Sequence, residues 1–304
     1  MRVIITGGSG LIGRALAASL AASSHEVIIL SRSATAVDLP VGVRTLRWDA
    51  RTGRGWASEI DGTTTIVNLA GAGIAERRWT PDRRREILQS RVHAGEAVVE
   101  AVSRVLTKPH LVVQSSAVGY YGPQKASEVT EENPPGSDFL AEVCVAWEGS
   151  SAAVEAQGVR RAIIRTGIVL STRGGALPRL LLPFKLFTGG PVGSGQQWYP
   201  WVHLADEVLA IRHVIEHEES SGPYNLCAPT PVTNAQLSRI IGQTLGRPSF
   251  FPTPGFALRL IMGDMSTVVL DGQRAVPKRL LAEGFQFRFP TAEAALCDLL
   301  HAAA

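Results

Sequence analysis

The stretch "RVIITGGSGLIGRALAASLAASSHEVIILSRS" constrains the fold more than any other part of the chain. Val3, Ile4 and Ile5 make a short buried strand, and "VIIL" at Val27 to Leu30 makes a second. Between them Leu11, Ala15, Leu16 and Leu20 recur at helical spacing. A strand, a helix and a strand in so few residues indicate a parallel βαβ unit. Gly7, Gly10 and Gly13, interleaved with Ser9, Leu11 and Ile12, fall at the turn from the first strand into the helix. Without a Cβ, the backbone there can approach a pyrophosphate at the positive helix end. Glycines that follow a strand, open a helix and sit in a βαβ unit are a specific signal.

The spacing GGxGxxG, starting at Gly7, resembles the short-chain dehydrogenase/reductase superfamily in its extended branch. The second strand ends in Ser31 and Arg32, where an NAD-specific site usually places an acidic residue against the ribose 2′-hydroxyl. A hydroxyl and a cation suit a 2′-phosphate instead, so NADP(H) is the expected cofactor. An exposed loop arginine is the plain alternative. "TTIVNLAG", Thr64 to Gly71, reads as a further buried strand, and the resemblance gives Leu69, Ala70 and Gly71 to the cofactor groove. A helix opens at Thr80 with Pro81 in its first position. Arg91 lies on its apolar stripe and needs an anion, for which a cofactor phosphate is suitable. Glu86, one turn earlier, could reach a ribose or order an arginine, and a surface ion pair explains it equally well. "RAIIRTGIVL", Arg161 to Leu170, resembles the superfamily's exit strand, which places Val169 against the nicotinamide carboxamide.

The catalytic positions of the same resemblance are filled abnormally. "HLVVQSSAVGYYG" is similar to the strand and loop that carry a catalytic serine or threonine, and that position holds Ala117. In "GSDFLAEVCVAWEGS" the general-acid tyrosine position of a YxxxK pair holds Leu140 and the lysine position holds Cys144. Leucine has no proton to give, and a thiol supplies no fixed positive charge. This helix, with Asp138 as its expected N-cap, therefore reads as scaffold. Ser116, Tyr120 and Tyr121 remain as the candidate proton-transfer groups, with a strand-end serine as the alternative for Ser116.

"GGPVGSGQQWYPWVH" resembles the extended branch's substrate loop, but Tyr199 and Pro200 replace its arginine and aspartate. That departure argues against a nucleotide sugar. Trp198, Tyr199 and Trp201 would suit a flat or apolar ligand, or simply pack. His203 and Asp206 read as structural, with Asp206 placed to start the next helix. Together with "NLAGAGI", "RRWTP" and "VPKRLLAEGFQFRFP", these blocks resemble an epimerase-like atypical extended family. Its members are described as nucleoside-diphosphate-sugar epimerases and carry a short C-terminal domain of unassigned role.

The expected fold class is α/β, a doubly wound parallel sheet of the NAD(P)-binding Rossmann type with a smaller mixed C-terminal domain. Residues 1–170 would hold the NADP and 171–304 the substrate, with a strand near Tyr224 returning to the main sheet. The resemblance implies an NADP(H)-dependent oxidoreductase or epimerase-like enzyme on a small metabolite, and a homodimer. The altered catalytic positions leave open a non-catalytic NADP(H) sensor. Other classes are disfavoured by composition. A net charge of +3 over 304 residues and no basic run with interleaved aromatics argue against nucleic acid. No apolar run approaches a membrane span of about 18 residues, since Pro178, Arg179, Pro183 and Lys185 break "ALPRLLLPFKLF". Three cysteines without a CxxC pair suggest a reducing, cytoplasmic setting, and seven histidines without ligand spacing give no metal site.

Overall fold

The computed structural model describes residues 1–32, 39, 41–124 and 127–301. It opens with β1 (Arg2–Thr6), α1 (Leu11–Ala22), β2 (Glu26–Ser31) and β3 (Val43–Arg47). There follow β4 (Thr64–Asn68), α2 (Pro81–Ser103), β5 (Leu111–Ala117), β6 (Glu128–Val129), α3 (Phe139–Ser150) and β7 (Arg160–Thr166). The next stretch holds β8 (Ile168–Leu170), α4 (Leu177–Lys185), β9 (Trp198–Tyr199), β10 (Trp201–His203), α5 (Leu204–Glu216) and β11 (Gly222–Leu226). The chain ends with β12 (Val232–Thr233), α6 (Asn234–Leu245), α7 (Gly255–Met262), α8 (Thr267–Leu270), β13 (Arg274–Ala275), α9 (Lys278–Ala282) and α10 (Ala292–His301).

Seven parallel strands form one sheet in the order β3-β2-β1-β4-β5-β7-β11. The direction of winding reverses between β1 and β4, so the carboxyl ends of those strands open a crevice. Alternation along each strand sends side chains to opposite faces. Val3, Ile5, Val27, Ile29 and Val67 pack under α1 and α5, whereas Ile4, Ile28, Ile66 and Val112 pack under α2. The sheet is therefore apolar on both faces, as a parallel sheet covered on both sides must be. The strand at Tyr224 does join it, as β11 beside β7.

Helix starts follow their side chains. Thr80 caps α2 with Pro81 at the first position, Asp138 caps α3, and Thr233 with Gln236 forms a capping box on α6. At α5 the expectation needs correction. His203, not Asp206, is the N-cap, its Nδ1 accepting from the Ala205 amide. Asp206 instead accepts the amides of Arg288 and Phe289, which ties the C-terminal segment to α5. That segment also adds β13 alongside β6 and lays Arg279 over the start of β11. Among the described residues no helix is long and apolar enough to cross a membrane.

Candidate functional site

The crevice at the ends of β1, β2 and β4 is a groove of about 840 Å³. Gly7 lies in its floor with φ +64°, and a Cβ there would stand 2.8 Å from the Leu69 carbonyl oxygen. Gly13 packs against Gly8 just as closely. These contacts draw β1, β4 and α1 together at one point, which only glycine permits. Gly10 caps α1 without a side-chain acceptor, so the first-turn amides carry their partial positive charge unanswered. A dinucleotide phosphate fits that cradle. Ser9, Ser31, Arg32, Leu69, Ala70, Gly71 and Glu86 also line the groove.

Arg32 is exposed and lines the groove, as does Arg51. The sequence reading missed Arg51. Its only signal is "WDART" after β3, where the Asp49 carboxylate accepts the amides of Arg51 and Thr52. Burial would raise the Asp49 carboxyl, but those amides and the Thr52 hydroxyl hold it below the usual range. Glu86 orders arginines, as one alternative expected, pairing with Arg83 at 2.8 Å and Arg77 at 2.6 Å. Leu11 and Ile12 support the turn from α1, Leu11 packing near Gly174 and Gly175, without lining the groove. Val169 sits in β8, paired with Val202 of β10, and does not line the groove either.

A second cavity of about 180 Å³ lies beside the groove and is mostly apolar. Its walls include Ala117, Leu140 and Cys144, the three positions where catalytic groups were missing, together with Trp147, Trp198 and Asp271. The α3 helix thus makes a pocket wall rather than plain scaffold. Close packing places it: a Cβ on Gly95 of α2 would collide with Ser150 of α3. One turn earlier Arg91 enters the pocket, its guanidinium 4.7 Å from the Trp147 ring centre. Its Nη1 donates to the Ala72 and Ile87 carbonyls at 2.9 and 3.0 Å, and among the described residues it has no salt bridge. Burial lowers its pKa to about 10, which leaves it charged at neutral pH. The side chain also lies under Gly71, so Arg91 stands where groove and pocket meet.

The three candidate proton-transfer residues, Ser116, Tyr120 and Tyr121, lie behind this cavity, among buried partners of their own. Register pairs Ser116 of β5 with Arg165 of β7, which turns both toward Glu148 of α3. The Ser116 hydroxyl donates to Glu148 Oε1 at 2.7 Å, and Arg165 donates to both Glu148 oxygens at 2.9 and 3.0 Å. Tyr121 is fully buried, donating its hydroxyl proton to Asn225 Oδ1 and accepting from Arg165. Burial pushes that phenol up to about 12. The Tyr120 ring lies 3.5 Å from the Arg165 guanidinium. None of the three lines the pocket. Of the expected aromatic trio, Trp198 faces the cavity while Tyr199 and Trp201 are core. Cys144 does line it, but burial, with the Glu148 carboxylate adding to it, pushes its thiol up to about 11.

Two family profiles match the chain: the NAD dependent epimerase/dehydratase family over residues 3–227 and a domain of unknown function over residues 253–299. The chain is 38% identical to an Arabidopsis thaliana protein called epimerase family protein SDR39U1 homolog, chloroplastic, over 97% of this chain and 86% of that one. It is similar to the crystal structure of human epimerase family protein SDR39U1 with NADPH, at TM-score 0.88 and 33% identity over 99% of both chains. A Corynebacterium glutamicum structure called nucleoside-diphosphate sugar epimerase aligns at TM-score 0.77 and 34% identity, covering 99% of this chain and 58% of that one.

Proposed function

The chain belongs to the NAD-dependent epimerase/dehydratase family, and from that premise we propose that it is an NADP(H)-dependent oxidoreductase or epimerase-like enzyme acting on a small, largely apolar metabolite. The observation that carries the reading is the pairing of an open polar groove, built on the Gly7 turn, with a small apolar pocket at its end. In this reading residues 1–170 hold the cofactor and later segments complete the substrate pocket. The Gly7, Ser9 and Gly10 turn takes the pyrophosphate, Arg32 with Arg51 takes the 2′-phosphate, and Leu69 to Gly71 carry the ribose between them. Arg91 holds an oxygen of the ligand where groove becomes pocket. The human relative that crystallised with NADPH supports the choice of cofactor. When bound, such a cofactor supplies or accepts a hydride. The chain's own part is to orient it, exclude water and move a proton.

A pocket of about 180 Å³ walled by Leu140, Trp147 and Trp198 suits a small ligand better than a sugar nucleotide. The sensor reading keeps one observation in its favour, the withdrawal of Ser116, Tyr120 and Tyr121 from the pocket. Calorimetry of NADPH and NADH on the wild type and Arg32→Ala tests the cofactor assignment. Tight NADPH binding, with the preference over NADH reduced in the variant, is the expected result. Failure of both nucleotides to bind would remove the enzyme and sensor readings together. NADPH oxidation in the presence of carbonyl compounds separates the two.

A further inference from the structure

We propose that Asp271, from the C-terminal segment of unassigned role, is the proton-transfer residue of the second pocket, serving a small, largely apolar carbonyl compound or the corresponding alcohol. The proposal rests on the enzyme reading above. Four ionisable side chains line the pocket among the described residues: Arg91, Asp138, Cys144 and Asp271. Arg91 keeps its proton and is held by two carbonyls. Cys144 grips its proton too tightly to give it up near neutrality. Asp138 Oδ1 accepts the Ala141 amide at 3.0 Å as the cap of α3. The Asp271 carboxylate has no hydrogen bond or salt bridge among the described residues, although it lies in the same cavity as Ala117 and Leu140.

Its position is fixed by its neighbours. The Asp271 amide donates to the Thr267 carbonyl at 3.0 Å. A Cβ on Gly272 would land inside the Trp198 carbonyl oxygen, and the Gly272 carbonyl accepts the Gln124 amide at 3.0 Å. The carboxyl is thus presented by a clamped backbone and not by a loose loop. Burial raises its pKa, the Asp138 carboxylate at the start of α3 raises it further, and Arg259 of α7 opposes both. A carboxyl raised in this way can carry a proton closer to neutral pH than an ordinary one.

In the reductive direction a hydride, which a reduced nicotinamide provides when bound, forms the new C–H bond at the carbonyl carbon. The C=O π pair moves to oxygen, and the proton leaves the Asp271 carboxyl for that oxygen. The products are the alcohol and an Asp271 carboxylate, which regains its proton from water. In the oxidative direction the carboxylate takes the hydroxyl proton as the hydride departs.

The test uses full-length wild type, Asp271→Asn and Asp271→Glu. Aspartate side-chain carbons are followed by NMR during a pH titration of the cofactor-free protein. NADPH affinity is measured by calorimetry, and NADPH oxidation is followed with benzaldehyde and phenanthrenequinone as probes. In the wild type one aspartate should titrate above the ordinary carboxylate range, and its signal should be missing from Asp271→Asn. That variant should keep its NADPH affinity within about twofold while losing about a hundredfold or more in rate, with partial recovery in Asp271→Glu. The wild-type reduction rate should fall as pH rises through the Asp271 pKa, because the acid form is the donor. An ordinary Asp271 titration, or equal rates in wild type and Asp271→Asn with NADPH binding intact, would overturn the proposal alone. A wild type that binds no NADPH would sink the enzyme reading and this proposal with it.

Discussion

The groove and the pocket touch at Arg91, yet they are made in different ways. The groove rests on backbone: glycines at the end of β1, the uncapped start of α1 and the small residues ending β4. The pocket is made by residues from seven separate stretches, and behind its walls lie the buried pairs of Arg165 with Glu148 and Thr166 with Glu207. Backbone contacts at a glycine turn depend on a few adjacent residues, so the groove should tolerate change elsewhere. A pocket assembled from distant segments depends on everything that positions them.

The largest expected effect lies behind the pocket. Glu148→Leu leaves the Arg165 guanidinium buried without its carboxylate, and the folded state should lose about 3–5 kcal/mol. Urea unfolding measures that loss, and calorimetry on the surviving folded protein should find NADPH affinity little changed. If affinity fell in step with stability, the independence of the two regions would be broken.

A pH dependence should also belong to the pocket side. Glu207 is fully buried, its Oε1 accepting from the Thr166 hydroxyl, which lies in the pocket wall. Burial raises its carboxyl to about 8. An unfolded glutamate ionises near its ordinary value while the folded one stays protonated. Stability therefore falls as pH rises from about 4.5 to about 8, by up to about 1.4 kcal/mol per unit from this group. Glu207→Gln should flatten that slope in urea titrations at a series of pH values. An unchanged slope would show that Glu207 is not the group responsible.

On the groove side, Arg32→Ala should reduce the preference for NADPH over NADH by about tenfold while leaving unfolding unaltered. The loss should shrink at high salt, because Arg32 is exposed. A complete loss of preference would leave no share for Arg51. The smallest effect is expected at Tyr120→Phe, which keeps the ring under Arg165. Both stability and any NADPH oxidation should stay close to wild type, within about 0.5 kcal/mol in unfolding. A large loss of turnover would return Tyr120 to the chemistry and count against Asp271.

The groove was legible in the sequence because its information is local. Gly7, Gly10 and Gly13 are three residues apart, Arg32 directly follows the next strand, and Leu69 to Gly71 directly follow β4. The doubly wound sheet was legible for the same reason, since its central strands carry their own apolar runs, although β3, VRTLR, does not. The vacancies at Ala117, Leu140 and Cys144 were also readable. What would replace them was not. Ser116 looked available because it is next to Ala117, and Tyr121 because it lies on the same loop, but the pairing of β5 with β7 commits them to Glu148, Arg165 and Asn225. His203 displaced Asp206 as a cap because the far C-terminal amides of Arg288 and Phe289 claimed the carboxylate.

By itself, then, the sequence determined the parallel sheet, the glycine turn with its cofactor class, and the loss of the usual catalytic pair, since each depends on residues within a few positions of one another. Only the tertiary structure decided that α3 walls a pocket, that Arg91 joins the pocket to the groove, and that Asp271 enters it from the far end of the chain. Those placements arise from the Gly95 contact between α2 and α3 and from the packing of Gly272 against Trp198. Such close approaches join segments far apart in sequence, and no local pattern of residues encodes which two will meet.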